Sequence, residues 1–264
     1  MVVMLIFISC SQKKTETTVL SWGTPYTNTP EFLNGNLKEV TQNSFWAVMK
    51  DGKVEKGALL TKKDNRDSGM MAGFHALFND SGKLIRCDLY GDNQKVDWSI
   101  VNDFNNGRVE KENWIRNDTV FSNALFRYND KGLIDSIRNI NPLTDTTKSI
   151  LVFTTDEKGN YVRMDAFDSK GRPTFYGLAT VDAGGRVTKL SFYQAKNDSL
   201  QQQQEYTYNE KGFCESYKSF DKNDKLIITL TGEYAYDDKG NWVKTVWSKN
   251  GKVWEIDERS YIYF

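Results

Sequence analysis

The chain has few of the residues on which enzyme sites are commonly built. Its 264 residues include one histidine, three cysteines and four prolines, and 35 Lys and Arg balance 35 Asp and Glu. A net charge of zero does not indicate nucleic acid as a partner. A zinc cluster or a Ser-His-Asp triad would have to rely on His75 alone, and nothing around it in the sequence supports either.

Other familiar patterns are missing as well. The sequence has no Gly-x-Ser-x-Gly elbow and no phosphate-cradling loop. It has no helical pattern of 10–15 residues between strands, which excludes a βαβ sheet. We therefore predict no catalytic residue, no metal and no cofactor.

A short phrase recurs along the chain. Tyr236-Asp237-Asp238-Lys239-Gly240 returns as Tyr208-Asn209-Glu210-Lys211-Gly212 and as Tyr128-Asn129-Asp130-Lys131-Gly132. The glycines that close it are 25 to 28 residues apart: Gly82, Gly107, Gly132, Gly159, Gly185, Gly212 and Gly240. A fixed period of this size indicates one supersecondary unit repeated many times.

Each repeat is predicted to be a β-hairpin. Asn or Asp followed by Gly is turn chemistry, and the residues before it alternate between polar and aromatic, as in Tyr206 and Tyr208. A second set of turn residues lies midway between the glycines, which gives two strands per repeat. Apolar residues fall at the second and fifth places after most glycines, such as Ile134 and Ile137. Because these places have opposite parity, we predict a β-bulge between them.

These patterns predict one all-β domain over residues 36–264. We expect an antiparallel up-and-down meander of about 26-residue hairpin repeats with roughly fourteen to seventeen strands. A sheet this long is expected to be strongly curled or closed as a soluble barrel-like sheet, with an open flat layer as the alternative. Closure depends on whether the strand near 37–46 meets the strand near 261–264.

The recurring phrase resembles the YD repeat of Rhs-type proteins. The lead-in from Leu37 to Trp46 resembles the first strand of related lipoproteins of Bacteroidetes-type bacteria, and the likeness covers about residues 36–264. The resemblance implies a β-repeat fold without an assigned activity. The chain is too short to enclose a cargo domain, so a role in toxin delivery is not implied.

The N-terminus is predicted to be a lipoprotein signal. Residues 1–8 are apolar, and Phe7-Ile8-Ser9-Cys10 resembles a lipobox with Cys10 as the lipidated residue. Eight apolar residues are too few to span a bilayer, which needs about 20. No Lys or Arg precedes the run, and Phe7 stands where Leu is usual, so a buried first strand is the alternative. Residues 1–10 are thus predicted as the signal and 11–35 as a polar tether.

These features predict an outer membrane lipoprotein on the periplasmic face or the cell surface, held to the membrane by its lipid anchor. The aromatic C-terminus, residues 260–264, resembles the ending of outer-membrane barrels. However, strands such as 108–114 carry charge where a lipid-facing band needs apolar residues. A transmembrane barrel is therefore kept only as an alternative.

The predicted function is a non-enzymatic cell-envelope scaffold that binds a protein or a glycan. Trp242, Trp247 and Trp254 are the candidate binding residues, with core packing as the alternative for each. The alternative function is a polysaccharide-acting hydrolase or lyase that uses carboxylates within the curled sheet. Candidate carboxylates away from the turns are Glu110, Glu112, Asp135, Asp165, Glu215, Glu233 and Glu255.

Two further sets of residues have structural interpretations. Acidic turn residues such as Asp130 and Asp237 are predicted to form turns, with a calcium-binding edge as the alternative, which the adjoining lysines oppose. Cys87 and Cys214 occupy apolar places of the repeat and are predicted to be small buried hydrophobic residues, with a disulfide as the alternative.

Overall fold

The chain is built almost entirely of antiparallel strands. The computed structural model describes residues 17–20, 31–61 and 73–264. The strands are β1 Thr17–Leu20, β2 Glu31–Asn34, β3 Leu37–Lys50, β4 Lys53–Leu59, β5 Gly73–Phe78, β6 Leu84–Tyr90, β7 Val96–Asn105, β8 Arg108–Arg116, β9 Thr119–Tyr128, β10 Ile134–Asn141, β11 Thr146–Thr155, β12 Tyr161–Asp168, β13 Pro173–Val181, β14 Val187–Gln194, β15 Ser199–Tyr208, β16 Cys214–Asp221, β17 Leu226–Tyr236, β18 Trp242–Lys249 and β19 Lys252–Tyr263. One turn of 3-10 helix, Asp92–Gln94, lies between β6 and β7.

The sheet closes into a barrel, which is one of the two forms, strongly curled or closed, that the sequence predicted. Strands from β5 to β19 pair with their sequence neighbours, and β19 then pairs with β3 over nine of its positions, Glu255 to Tyr263. Since β3 also pairs directly with β5, the ring contains sixteen strand positions. Closure removes the unpaired edges that an open sheet would leave exposed.

One of the sixteen positions is shared by two short strands. β5 pairs with the first half of β3, where Gly73 lies opposite Asn43, and β4 pairs with the second half, where Leu59 lies opposite Phe45. β4 and β5 therefore act as one strand interrupted by residues 60–72. Residues 62–72 lie outside the described part of the chain. A side chain at Gly73 would lie 2.3 Å from the Gln42 carbonyl oxygen, which explains the glycine where β5 begins.

Six turns built from the repeated phrase line one end of the barrel, which we call the glycine end. Each is a five-residue turn in which the first residue and the glycine are hydrogen-bonded: 79–83, 129–133, 156–160, 182–186, 209–213 and 237–241. In the turn at 156–160, the Asp156 Oδ1 atom accepts the amides of Lys158 (2.9 Å) and Asn160 (2.8 Å). The six glycines have φ between +70° and +88°, a region that other residues rarely occupy. The opposite end of the barrel is called the far end.

The predicted bulges are confirmed. In β10 the register with β9 shifts between Ile134 and Ser136, so that Asp135 is the extra residue. The corresponding shifts after the other glycine turns leave one extra residue each: Ile85, Val162, Thr188, Glu215 and Val243. Each bulge lies between the second and fifth places, which allows both apolar side chains to face the barrel interior.

Tyrosines of the phrase join neighbouring hairpins at the glycine end. The Tyr128 hydroxyl donates to the Val109 carbonyl (2.8 Å), and the Tyr208 hydroxyl donates to the Val187 carbonyl (2.6 Å). A basic side chain from the neighbouring hairpin lies over each ring in four pairs: Arg108 on Tyr128, Arg186 on Tyr208, Lys211 on Tyr236 and Lys239 on Tyr263. The aromatic and basic residues of the repeated phrase thus connect one hairpin to the next.

The two faces of the sheet differ in chemistry. Inward side chains form two apolar clusters, one containing Leu37, Val40, Cys87, Ile100 and Trp242 and the other containing Ile137, Met164, Leu190, Tyr206 and Cys214. The outer face carries ion pairs between strands and along them: Arg86–Asp88, Arg127–Asp135, Arg163–Asp165 and Lys56–Glu258. A lipid-facing band would need apolar residues at these positions, which argues against the transmembrane alternative.

No helix within the described part of the chain is long and apolar enough to cross a membrane.

Two strands lie within the segment predicted as a tether. β1 and β2 form a separate antiparallel pair in which Thr17 lies opposite Asn34. Leu33 of β2 is fully buried and joins the apolar cluster that contains Leu37 and Trp242. The Asn34 amide donates to the Asn241 side-chain oxygen (2.7 Å), so β2 contacts the glycine end of the barrel. The barrel residues to which Glu31 and Asn34 of β2 bond are more than 200 residues away along the chain, and local composition could not reveal them.

The two cysteines within the described residues are free thiols. Cys87 and Cys214 are both buried, and they belong to different apolar clusters. Burial raises the pKa of each thiol, so the reactive thiolate is scarce at neutral pH. They behave as small hydrophobic residues of the core.

A substitution in one turn tests the role of the repeated acidic residue. Asp156→Ala removes the acceptor of two backbone amides and should lower the thermal unfolding midpoint by a few degrees. The Asn160 side chain also donates a hydrogen bond to Asp156. This bond first, and the bonds from the backbone amides with it, lower the pKa of Asp156. Its stabilisation is therefore present above the unfolded pKa of about 4 and is lost as the pH falls through the folded pKa. Glu157→Ala, at the adjacent exposed turn position, is the control and should leave the midpoint unchanged; equal effects would contradict the assigned role.

A second substitution tests the packing of the interior. A Cβ added at Gly232 would lie 2.9 Å from the Trp247 ring, which is fully buried. Gly232→Ala should therefore destabilise the barrel by about 1–3 kcal/mol, as overpacking does. Gly184→Ala is the matched control, because its Cβ would meet only side-chain atoms, Asp182 Oδ1 at 3.3 Å and Arg186 Nε at 3.9 Å. Denaturant unfolding of both variants measures the difference, and an unaffected Gly232→Ala would show that Trp247 has room to move.

Candidate functional site

A stripe of charged residues on β19 faces the barrel interior. Glu255, Asp257 and Arg259 alternate with outward residues and are at most 5% exposed. Sequence reasoning selected Glu255 but missed Asp257, Arg259 and Glu31, the partner of Arg259. The sequence did contain a signal for this stripe. Residues 255, 257 and 259 are an even number of positions from Tyr261 and Tyr263, the aromatic pair of the last repeat, so all five side chains are expected on the same face of the strand.

Asp257 is held by donors from two neighbouring strands. The Ser44 hydroxyl of β3 donates to its Oδ1 atom, and the Trp247 indole N–H of β18 donates to its Oδ2 atom at 2.9 Å. Burial is the largest influence on this carboxyl and raises its pKa. The Glu255 carboxyl lies within hydrogen-bonding reach of Asp257, and this hydrogen bond opposes the effect of burial on the pKa of Asp257.

Arg259 connects β2 to the barrel wall. Its Nη1 group donates to the Glu31 carboxylate, and its Nε group donates to the Gln42 side-chain oxygen at 2.9 Å. Burial would lower the pKa of Arg259, but the Glu31 carboxylate and Tyr261 raise it. The guanidinium also lies 3.8 Å from the centre of the Trp242 ring. A buried pair of this kind specifies which segment docks there, while its net stabilisation is small.

The three candidate tryptophans do not share one surface. Trp242 and Trp247 are fully buried inside the barrel, where Trp242 stacks under Arg259 and Trp247 bonds to Asp257. Trp254 is partly exposed near the far end, where its ring lies edge-on to Trp46 with centroids 4.8 Å apart. Lys249 lies over the Trp254 ring at 4.2 Å. Trp254 is the member of the set that solvent can reach, and binding there remains a prediction.

Glu112 is a buried acid in an apolar part of the interior. The Trp114 indole N–H donates to its Oε1 atom at 2.6 Å, and the Trp114 ring stacks on Trp98 at 4.7 Å. Burial raises the pKa of Glu112 to about 7, although the Trp114 hydrogen bond opposes the shift. A carboxyl with this pKa exchanges its proton near neutral pH, which is the property of a general acid or base.

The seven candidate carboxylates divide between the two faces. Glu112 and Glu255 face the interior and are 6% and 1% exposed. The other five, Glu110, Asp135, Asp165, Glu215 and Glu233, lie on the outer side or at bulges, and Asp135 and Asp165 are paired with arginines. Around the ring, Glu112 on β8 is separated from Glu255 on β19 by β3, β5, β6 and β7, whose inward side chains form the apolar cluster. The two buried acids therefore do not flank one open cleft.

The histidine and the acidic turns form no metal cluster. The His75 ring faces outward from β5, and its Nε2 atom lies 3.1 Å from the Glu39 carboxylate. Within the described residues, no group of three or more His, Cys, Asp or Glu side chains is arranged to hold a metal ion. The turn carboxylates such as Asp156 and Asp182 accept hydrogen bonds from their own turns instead.

Comparison with solved structures shows similarity in fold. A porin-like protein from Bacteroides uniformis ATCC 8492 is 8% identical with a TM-score of 0.52, and the match covers 86% of this chain and 98% of that chain. A porin-like protein from Bacteroides vulgatus ATCC 8482 is 11% identical with a TM-score of 0.35, covering 88% of this chain and all of that one. The Photorhabdus luminescens Tc holotoxin pore is 10% identical with a TM-score of 0.19 and is covered over 14% of its chain.

The first of these similarities establishes a shared β-repeat barrel architecture and nothing about activity. The other two have TM-scores too low to support an argument. No family model matches the chain, and no curated protein matches it.

The buried Glu112 generates a test by pH. The pKa of Glu112 is about 7 in the folded protein and about 4 in the unfolded chain, so the unfolded chain loses the proton first as the pH rises. The free energy of unfolding should therefore fall between about pH 4 and pH 7, by on the order of 3 kcal/mol. Glu112→Gln keeps the acceptor for Trp114 and should remain stable across that range, so that it exceeds the parent above pH 7. Glu110→Gln, on the exposed bulge of the same strand, serves as the control. Parallel pH profiles for the parent and Glu112→Gln would show that the carboxyl is not buried as described.

Proposed function

We propose that this protein is a non-enzymatic cell-envelope lipoprotein, in which a closed β-repeat barrel acts as a rigid scaffold for a protein or glycan ligand. Cys10 carries the lipid anchor, and the N-terminal segment joins that anchor to the barrel. The ligand binds on the outside of the barrel, where Trp254 is the candidate residue.

The observation that carries this proposal is the contrast between a filled interior and a polar outer wall. Side chains of two apolar clusters and of the β19 stripe occupy the inside, and outward positions carry exposed ion pairs. A barrel built this way offers ligands its outer surface and its ends. Closure and internal packing supply the rigidity that a scaffold needs.

Burial disfavours the alternative of a polysaccharide hydrolase or lyase. Glycoside hydrolysis needs two carboxyl groups on either side of an accessible sugar, about 5 Å or more apart. Asp257 and Glu255 are adjacent, but they are 0% and 1% exposed and are enclosed by Ser44 and Trp247. No sugar ring reaches them without opening the barrel wall, so their hydrogen bonds indicate a structural role.

Two observations support the envelope location. The segment Phe7-Ile8-Ser9-Cys10 resembles a lipobox, although it lies outside the described residues. A solved structure with the same architecture is named as porin-like, which is the name of an envelope protein class. The covered interior and charged outer wall separate this chain from a lipid-embedded barrel, so we assign membrane attachment to the anchor.

Labelling of the full chain beside its Cys10→Ala variant tests this proposal. Metabolic fatty-acid labelling and membrane association are expected for the parent and should both be lost in the variant, because the thioether-linked lipid is the attachment. Protease shaving of whole cells then distinguishes surface from periplasmic display. Ser9→Ala, which keeps a small residue before the cysteine, is the control and should still be labelled. An unlabelled parent would show that the lipoprotein assignment is wrong.

A further inference from the structure

Exposed aliphatic side chains gather at the far end of the barrel. Met49 is 61% exposed, Ile227 56%, Leu226 48% and Val48 42%. They belong to the β3–β4 hairpin and to the start of β17, close to the β18–β19 turn. In the ring, β16, β17, β18, β19, β3 and β4 are consecutive, so these side chains lie on two hairpins with the β18–β19 hairpin between them.

Lysines flank each of the same three hairpin turns. We call residues 48–54, 221–227 and 249–254 the lysine sector. It contains six lysines and three aspartates: Lys50, Lys53, Lys222, Lys225, Lys249, Lys252, Asp51, Asp221 and Asp224. One aspartate, Asp221, is already engaged by the amides of Asn223 and Lys225 in its own turn. Glu55, just outside the sector, pairs with Lys50 at 3.9 Å, and the sector still has an excess of positive charge in a chain that is neutral as a whole.

Backbone contacts hold two parts of the lysine sector in a fixed relation. The Asn250 amide donates to the Thr229 carbonyl at 2.8 Å, and the Thr229 amide donates to the Asn250 side-chain oxygen at 2.9 Å. The β18–β19 turn is thus attached to β17 beside Ile227. Trp46 and Trp254 pack against each other between this turn and the β3–β4 hairpin. The exposed aliphatic side chains are therefore held in fixed positions at the far end of the barrel.

We propose that the lysine sector is a docking surface for a bilayer that contains anionic lipids. Aliphatic tips insert at the headgroup boundary, and the surrounding lysines contact the anionic headgroups.

The composition of the sector favours a bilayer over other partners. Lysine is depleted from the cores of protein interfaces, whereas it is favoured beside aliphatic and tryptophan side chains at membrane surfaces.

The N-terminal strands and the lysine sector lie at opposite ends of the barrel. Asn34 bonds to Asn241 and to the Lys239 carbonyl, so the chain joins the barrel at the glycine end, beside β17 and β18, whereas the lysine sector lies at the far end. This inference deepens the proposed function, since it adds a second membrane contact to the Cys10 anchor. The sector itself does not require acylation, and the two contacts can be tested separately.

Vesicle sedimentation of the full-length Cys10→Ala protein, which has no acyl chain, tests the sector directly. Vesicles of phosphatidylcholine alone are compared with vesicles that also contain phosphatidylglycerol. We expect stronger binding to the anionic vesicles and its loss at about 0.5 M salt, which screens surface charge. Lys222→Gln with Lys225→Gln should lower the partition coefficient by on the order of tenfold or more. Met49→Asp with Ile227→Asp should also lower it, while circular dichroism confirms the fold.

Leu143→Asp is the matched control. Leu143 is 81% exposed at the same end of the barrel but lies in a turn, residues 141–145, that contains no lysine. It should bind vesicles as the parent does. The apolar residues 1–9 are common to all variants and cannot produce differences among them. Equal binding to both vesicle types, equal weakening by Leu143→Asp, or no binding at all would overturn the proposal, and the last result would assign the lysines to an acidic soluble partner. None of these results depends on the labelling outcome for Cys10.

Discussion

The structure depends on the pairing of its last strand with its first long one. β19 and β3 are separated by almost the whole chain, yet they pair over nine positions of β19 and convert a meander into a ring. Without this contact, the sheet would expose two long edges and the interior side chains would face water on one side. Ring closure also brings Ser44, Asp257 and Trp247 together, since these three residues come from β3, β19 and β18. The polar centre of the barrel is thus a consequence of closure.

The repeat solves the problem of joining adjacent hairpins with a small set of side chains. An Asp or Asn holds each glycine turn, a tyrosine reaches back to the previous hairpin, and a basic residue covers the tyrosine ring. A bulge after each turn keeps two apolar positions on the interior face. Several units bond to the next through these side chains, and the alternation of hairpins continues around the ring until β19 meets β3. The exceptions are informative: the position of β4 and β5 is interrupted, and the far end carries lysines and exposed aliphatic residues.

Sequence reasoning succeeded where the determining interactions are local. Gly132 and Ile134 reveal a turn and a bulge because their roles are fixed within a few residues, and the spacing of the glycines yields the meander. Reasoning of the same kind identified Glu112 and Glu255 only as members of a set of seven carboxylates, since parity along a strand does not say which face is inside. It placed β2 in a tether because Glu31 and Leu33 contact residues about 200 positions away. Trp242 and Trp247 illustrate the same limit: a tryptophan on a strand is compatible with a surface platform or a packed interior until the direction of curvature is known.

The sequence by itself determined the hairpin repeat, the antiparallel order, the bulges and the absence of a helical layer, because turn chemistry and period-two alternation act over short distances. Tertiary structure alone decided which side of the sheet is enclosed, how Asp257 and Arg259 are neutralised, and where the N-terminal strands dock. It also decided that three lysine-flanked turns adjoin one another at the far end. The physical reason is that these features arise from side chains that meet only after the ring has closed, so their burial and charge balance are properties of the barrel and not of any segment.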